Sequence, residues 1–330
     1  MKKMIIGLFI IIILITYITL DEEQVGKNQI SQDNGNYKIY TSIYPIYETT
    51  KKIAGNNIDV GLVVPNGTEA HSYEPSPRRI AELVSADIFF YIGIGMEPWA
   101  DKAQSVLSES SVKTIELSRY LDLIRLDDND EYEDEAYDKY SKHDHEYQES
   151  DGHEHGQYDP HVWLDPSNMR KIAGIVKEEL IALDPDNREI YQINYNKYSM
   201  KIELLEDKYQ ITLSKKNKNQ IIVSHAAFGY LAKKYNFEQL AITGITPHGE
   251  STPGNIAKLI KFARENKLEY VFMETLTSNR VVQVLAQEAD LEILTLNPFS
   301  GLTEKEIENG EDYFSIMEQN LSNLEKALVN

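Results

Sequence analysis

Eight histidines and no cysteine set the chemistry open to this chain. Without thiols, disulfide scaffolds, thiolate zinc sites and cysteine nucleophiles are excluded, so a bound metal must use imidazole, carboxylate or water. The histidines fall into two groups. His143, His145, His153 and His155 share the run 127–155, where thirteen acids oppose two lysines. His-x-His pairs among carboxylates suit weak capture of cations, and a plain solvated linker is the competing reading. Such a polar stretch cannot bury enough surface to offset chain entropy, so 127–157 is expected as a disordered loop. His71, His161, His225 and His248 stand apart from it. Three imidazoles brought together would suit Zn²⁺, which takes nitrogen at ~2.0–2.1 Å in tetrahedral geometry.

The elements that must position these residues alternate in type. Strands are expected at 37–42, 58–64, 87–92 and 112–116, with helices at 47–54, 77–84 and 97–107 between them. A helix at 167–183 precedes the longest helical segment, 186–216. There Tyr191, Tyr195, Tyr198, Ile202, Leu205 and Tyr209 recur every three or four residues, one stripe on one helix face. The pattern then restarts: strands at 220–224, 239–243, 270–274 and 291–296, helices at 226–235, 253–266, 278–289 and 310–328. The fold class read from this is α/β: two lobes, each a parallel sheet flanked by helices, joined by one long rigid helix. The N-terminal lobe spans 37–185, the connecting helix 186–216 and the C-terminal lobe 217–330. His71 follows the strand 58–64 and His225 ends the strand 220–224. In open parallel sheets, ligands bind at the carboxyl ends of strands. His161 closes the passage between the two lobes.

The 330 residues carry a net charge of −20, a field that repels polyanions and attracts cations, so no nucleic-acid partner is expected. At the start, Lys2 and Lys3 precede an apolar run, 4–20, that exits into three acids. This reads as a signal peptide or membrane anchor over 1–20 with a tether over 21–36. The remainder would then work at the outer face of the cytoplasmic membrane, anchored or secreted.

Gly67-Thr68-Glu69-Ala70-His71-Ser72-Tyr73-Glu74-Pro75-Ser76-Pro77 and Gly93-Ile94-Gly95-Met96-Glu97-Pro98-Trp99 resemble the solute-binding proteins of zinc and manganese ABC transporters. So do the segments 159–166, 224–231 and 243–247, in order along the chain. The resemblance implies a monomer that captures Zn²⁺ between two lobes and delivers it to a membrane permease, with no catalysis. It implies His71, His161 and His225 as metal ligands. The manganese branch has a carboxylate where His225 stands, so imidazole there favours zinc. The family's acidic fourth ligand is absent: the slot in Asn297-Pro298-Phe299-Ser300 falls on Ser300. Water is the expected fourth ligand and Glu69 the alternative, while His248 reads as a surface residue. Three other readings stay open: a manganese-binding member, a surface adhesin, and a hydrolase using the His₃ zinc with Glu69 as base. No H-E-x-x-H helix supports the last. Ligands with the ordinary histidine pKa of ~6.5 would lose metal to protons below about pH 6.

Overall fold

Short strands organise the molecule, the most apolar of them inner strands of their sheets. Ile-Phe-Phe-Tyr at Ile88–Tyr91 is buried at every position, as a strand covered on both faces must be. In the computed structural model, which describes residues 37–126, 157–249, 251–277 and 280–330, eight strands form two four-stranded sheets. The segments 1–20 and 21–36 and the acidic run with His143, His145, His153 and His155 lie outside these residues.

The first sheet contains β1 (Lys38–Thr41), β2 (Asp59–Leu62), β3 (Ile88–Tyr91) and β4 (Lys113–Glu116) in the order β2-β1-β3-β4. The second contains β5 (Gln220–Val223), β6 (Glu238–Ala241), β7 (Tyr270–Met273) and β8 (Glu292–Thr295) in the matching order β6-β5-β7-β8. Every pairing is parallel; Ile39, for instance, sits beside Val60 on one side and Ile88 on the other. Strand order reverses direction between β1 and β3 and between β5 and β7. These are the switch points at which such sheets bind ligands.

Helices α1 (Tyr44–Ala54), α2 (Pro77–Val84) and α3 (Pro98–Leu107) connect the first sheet. Proline stands in the first turn of each, where its missing N–H costs nothing. Then come α4 (Pro166–Leu183) and the long α5 (Arg188–Leu213), preceded by a 3₁₀ turn at Pro185–Asn187. Helix α5 is 26 residues long, so it spans ~39 Å. Its buried residues are Tyr191, Tyr198, Ile202, Leu205, Tyr209 and Leu213; Tyr195 of the stripe is only partly buried. The second lobe adds α6 (Gly229–Tyr235), α7 (Pro253–Glu265), α8 (Arg280–Ala289), α9 (Glu304–Glu308) and α10 (Tyr313–Leu328). Sequence reading missed α9, which is too short for a periodic signal. Its start is nevertheless written in Thr303-Glu304-Lys305-Glu306, where Thr303 and Glu306 cap each other's backbone N–H groups.

The layers show how the lobes are held. Beyond the first sheet, α2 and α3 cover Tyr40, Phe89 and Tyr91. Beyond the second, α7 and α8 cover Ile222 and Val271. Between the sheets lies one continuous core, running from Ile39, Ile88 and Phe90 through Trp163, Ile172 and Tyr209 to Val223, Phe272 and Leu324. Helices α1, α4 and α10 pack on α5 within it. The composition is ample for two separate cores, yet the two sheets share one. Among the described residues no helix is long and apolar enough to cross a membrane.

Candidate metal centre

Three loops deliver the three histidines, His71 and His225 from strand ends and His161 from the segment that crosses between the lobes. His71 sits beyond the edge strand β2, and His225 lies two residues past the central strand β5. His161 belongs to the crossing segment just before a 3₁₀ turn at Val162–Leu164. That segment is tied to both sides. Trp163 Nε1 donates to the Pro298 carbonyl at 2.7 Å, and the Tyr313 hydroxyl donates to the Trp163 carbonyl at 3.1 Å. The Tyr230 hydroxyl donates to the Asp159 carbonyl at 2.9 Å and accepts from Ile124 N–H at 3.2 Å. Gly229 lets this segment come close, because a Cβ there would collide with Asp159 Oδ2.

The imidazoles converge through one atom each. His161 Nε2 lies 3.1 Å from His71 Nε2 and 3.3 Å from His225 Nε2. His161 and His225 are almost wholly buried, and His71 is partly so. The other ring nitrogen of each buried pair faces a carboxylate. His161 Nδ1 donates to Asp159 Oδ1 at 2.8 Å, and His225 Nδ1 donates to Glu274 Oε1 at 2.5 Å. Ser224 Oγ also donates to that Glu274 oxygen. These bonds fix the tautomers, leaving bare lone pairs on both Nε2 atoms. Lone pairs facing each other at this range repel unless a cation lies among them. A tetrahedral ion with ~2.0–2.1 Å arms has ligands roughly 3.3–3.4 Å apart, close to the separations seen here.

Electrostatics disfavour protonation of His71 and His161. Burial, followed by the neighbouring His161, lowers the His71 pKa to about 3. Burial, followed by the charge of His225, holds His161 well below the ordinary histidine value. Burial likewise lifts the Asp159 carboxyl to about 7, opposed by the His161 backbone N–H. A divalent cation on the far side of His161 would favour the ionised carboxylate.

Glu69 borders the same recess but is otherwise engaged. Its Oε1 accepts the His71 N–H at 2.8 Å and its Oε2 the Ser72 N–H at 3.0 Å. Among the described residues, only His71, His161 and His225 place ligand atoms together in a group that could hold a metal ion. Ser300 also borders the recess, opposite no acid from its own loop. His248 is 61% exposed at its side chain, as a surface residue should be, yet its Nε2 lies 3.3 Å from Glu69 Oε2. Sequence reasoning gave no role to Asp159 or Glu274. Asp159 was visible as part of the Asp159-Pro160-His161 motif. Glu274 becomes meaningful only once β7 is seen to lie beside β5, which places it across the switch point from His225.

Two parallel α/β lobes, with a buried histidine cluster where their strand ends meet and one long helix along them, define a two-lobed protein of the solute-binding class. Residues 39–327 match the model of the family described as ZnuA, zinc-uptake complex component A, periplasmic. The chain belongs to that family. It is 36% identical over 303 residues to the zinc-binding lipoprotein AdcA of Streptococcus pneumoniae, covering 92% of this chain and 58% of AdcA. It therefore spans a little over half the length of that relative. With the high-affinity zinc uptake system protein ZnuA of Bacillus subtilis it shares 32% identity over 323 residues, 98% of this chain and 97% of ZnuA. The crystal structure of the Zn(II)-bound ZnuA-like domain of S. pneumoniae AdcA superposes with a TM-score of 0.73 at 33% identity, covering 90% of this chain and all of that domain.

Proposed function

We propose that this chain captures Zn²⁺ outside the cytoplasmic membrane and hands it to a membrane permease, with Zn²⁺ as cargo rather than resident cofactor. The observation that carries the reading is the meeting of three imidazole Nε2 atoms, two of them on rings whose Nδ1 faces a buried carboxylate. The zinc-binding relatives and the Zn(II)-bound neighbour support the choice of ion. His71, His161 and His225 are the ligands and water the fourth, since Ser300 offers only a neutral hydroxyl. Among the described residues, Glu69 and Glu274 both hold ligand histidines in place rather than standing free as a general base, which speaks against hydrolysis. An all-imidazole set also speaks against manganese, which prefers carboxylate and water.

Calorimetric titration of the full chain tests this. One tight zinc equivalent is expected, with manganese at least about 100-fold weaker; equal affinities would overturn the assignment. The acidic run, proposed as a feeder through His143, His145, His153 and His155, adds weaker equivalents. Deleting 127–155 should remove those alone, and loss of the tight equivalent would refute the feeder role.

A second expectation follows from the tautomers. Glu274→Gln preserves volume, but its amide can present N–H to His225 Nδ1 and shift the proton to Nε2. Zinc affinity should fall roughly 10- to 100-fold, read by competition with a fluorescent chelator. Unchanged affinity would show that Glu274 merely fills space.

A further inference from the structure

His161 and His225 have their rings fixed by carboxylates, but His71 does not. Its Nδ1 is buried without a hydrogen-bond partner. What holds His71 is the backbone of its own loop, through the two N–H groups that Glu69 accepts. Glu69 in turn meets His248 at 3.3 Å. His248 belongs to the other lobe, in the loop after β6. The strands β2 and β6 occupy the same edge position in the two sheets, so equivalent loops of the two lobes touch across the mouth of the recess.

We infer that His248 is a positioning residue that, through Glu69, clasps the His71 loop over the bound ion and slows its release. The inference rests on the histidine trio being the zinc site. The base of the His71 loop is pinned separately, where Gly67 N–H donates to the Leu302 carbonyl at 2.8 Å. Opening the clasp therefore frees the tip that bears His71 without unfolding the loop. The contact is also reachable from outside. His248 is 61% exposed and Glu69 only 11%, so a surface that engaged His248 could loosen His71 without entering the recess. The trio is thus unequal: two imidazoles are fixed to the frame, while the third is held by a contact that bridges the lobes at the rim.

Zinc release from the full-length protein to an excess of chelator, followed by stopped flow, tests this. An exposed polar contact of this kind is worth up to about one order of magnitude. His248→Ala should speed release roughly three- to tenfold, with the melting temperature of the zinc-free protein unchanged. His248→Gln, whose amide can still donate to Glu69, should restore slow release. A purely structural role would move the melting temperature and leave release alone. Release that is unchanged in His248→Ala, or as fast in His248→Gln as in His248→Ala, would overturn the clasp. His161→Ala serves as the reference. Tight binding that survived it would overturn the trio and the clasp together, whereas tight binding lost in it, with unaltered release in His248→Ala, would overturn the clasp alone.

Discussion

Replacing His161 with alanine is expected to weaken zinc binding by about 10²–10³-fold and to erase most of the rise in melting temperature that zinc confers. His161 is the middle of the trio, the one imidazole within 3.3 Å of both others. Structural zinc sites are worth about 10–16 kcal/mol, so one ligand of the proposed set would account for roughly 3–4 kcal/mol, which sets that fold-change. The substitution also strips Asp159, a buried carboxylate, of the ring N–H it holds at 2.8 Å. Asp159 keeps the backbone N–H of residue 161 at 2.9 Å, but a buried carboxyl that loses one of its donors costs stability on its own account, so the zinc-free variant should melt lower than the parent. The two effects separate cleanly: the ligand effect is the gap between melts with and without zinc, the packing effect the shift of the zinc-free melt. A zinc-dependent gap as large as the parent's would refute the ligand role of His161.

The second large effect concerns protons. Histidines titrating at the ordinary ~6.5 would release close to three protons per zinc at pH 5.5. The folded site does not permit this. The His71 pKa lies at about 3 and that of His161 well below the ordinary value, both chiefly through burial. A lowered histidine pKa means that the folded state refuses protons that the unfolded chain accepts. The zinc-free fold therefore loses stability as pH falls from ~6.5 towards 3, the window in which the unfolded state binds more protons. Zinc, however, displaces no proton from these two rings within that window. Calorimetry at pH 5.5 in buffers of different ionisation heat should count fewer than three protons released per zinc, with none from His71 or His161. Affinity should then fall by less than about a thousandfold per pH unit. Less metal should therefore be lost below pH 6 than ordinary histidines would give. A count near three would show that the trio is open to water.

What the sequence made legible follows from which interactions are local. The strands read clearly because buried parallel strands are short apolar runs between helices, and the observed bounds differ from the expected ones by a residue or two. His71 and His225 stood out because strand ends in such sheets carry ligands, and His161 because its motif resembled a known family. Glu274 had no local signature: 53 acids populate this chain, and only the pairing of β5 with β7 picks one out. The clasp is invisible for the same reason, since 179 residues separate Glu69 from His248 and nothing near either announces the other. The stripe on α5 showed that one face is buried but not what covers it. The shared core that results could only be seen in the fold.

That shared core bears on how the molecule could signal its load. Proteins that close on a ligand by swinging about a hinge bury new surface as they do, and a receptor can read the change in gape. Here the two sheets rest on one apolar interior along the whole of α5, and opening them apart would expose that interior to water. Loaded and empty forms should accordingly have the same radius of gyration in solution scattering, and zinc uptake should carry little change in heat capacity. A receptor facing such a molecule would have only the order of its rim loops by which to tell full from empty.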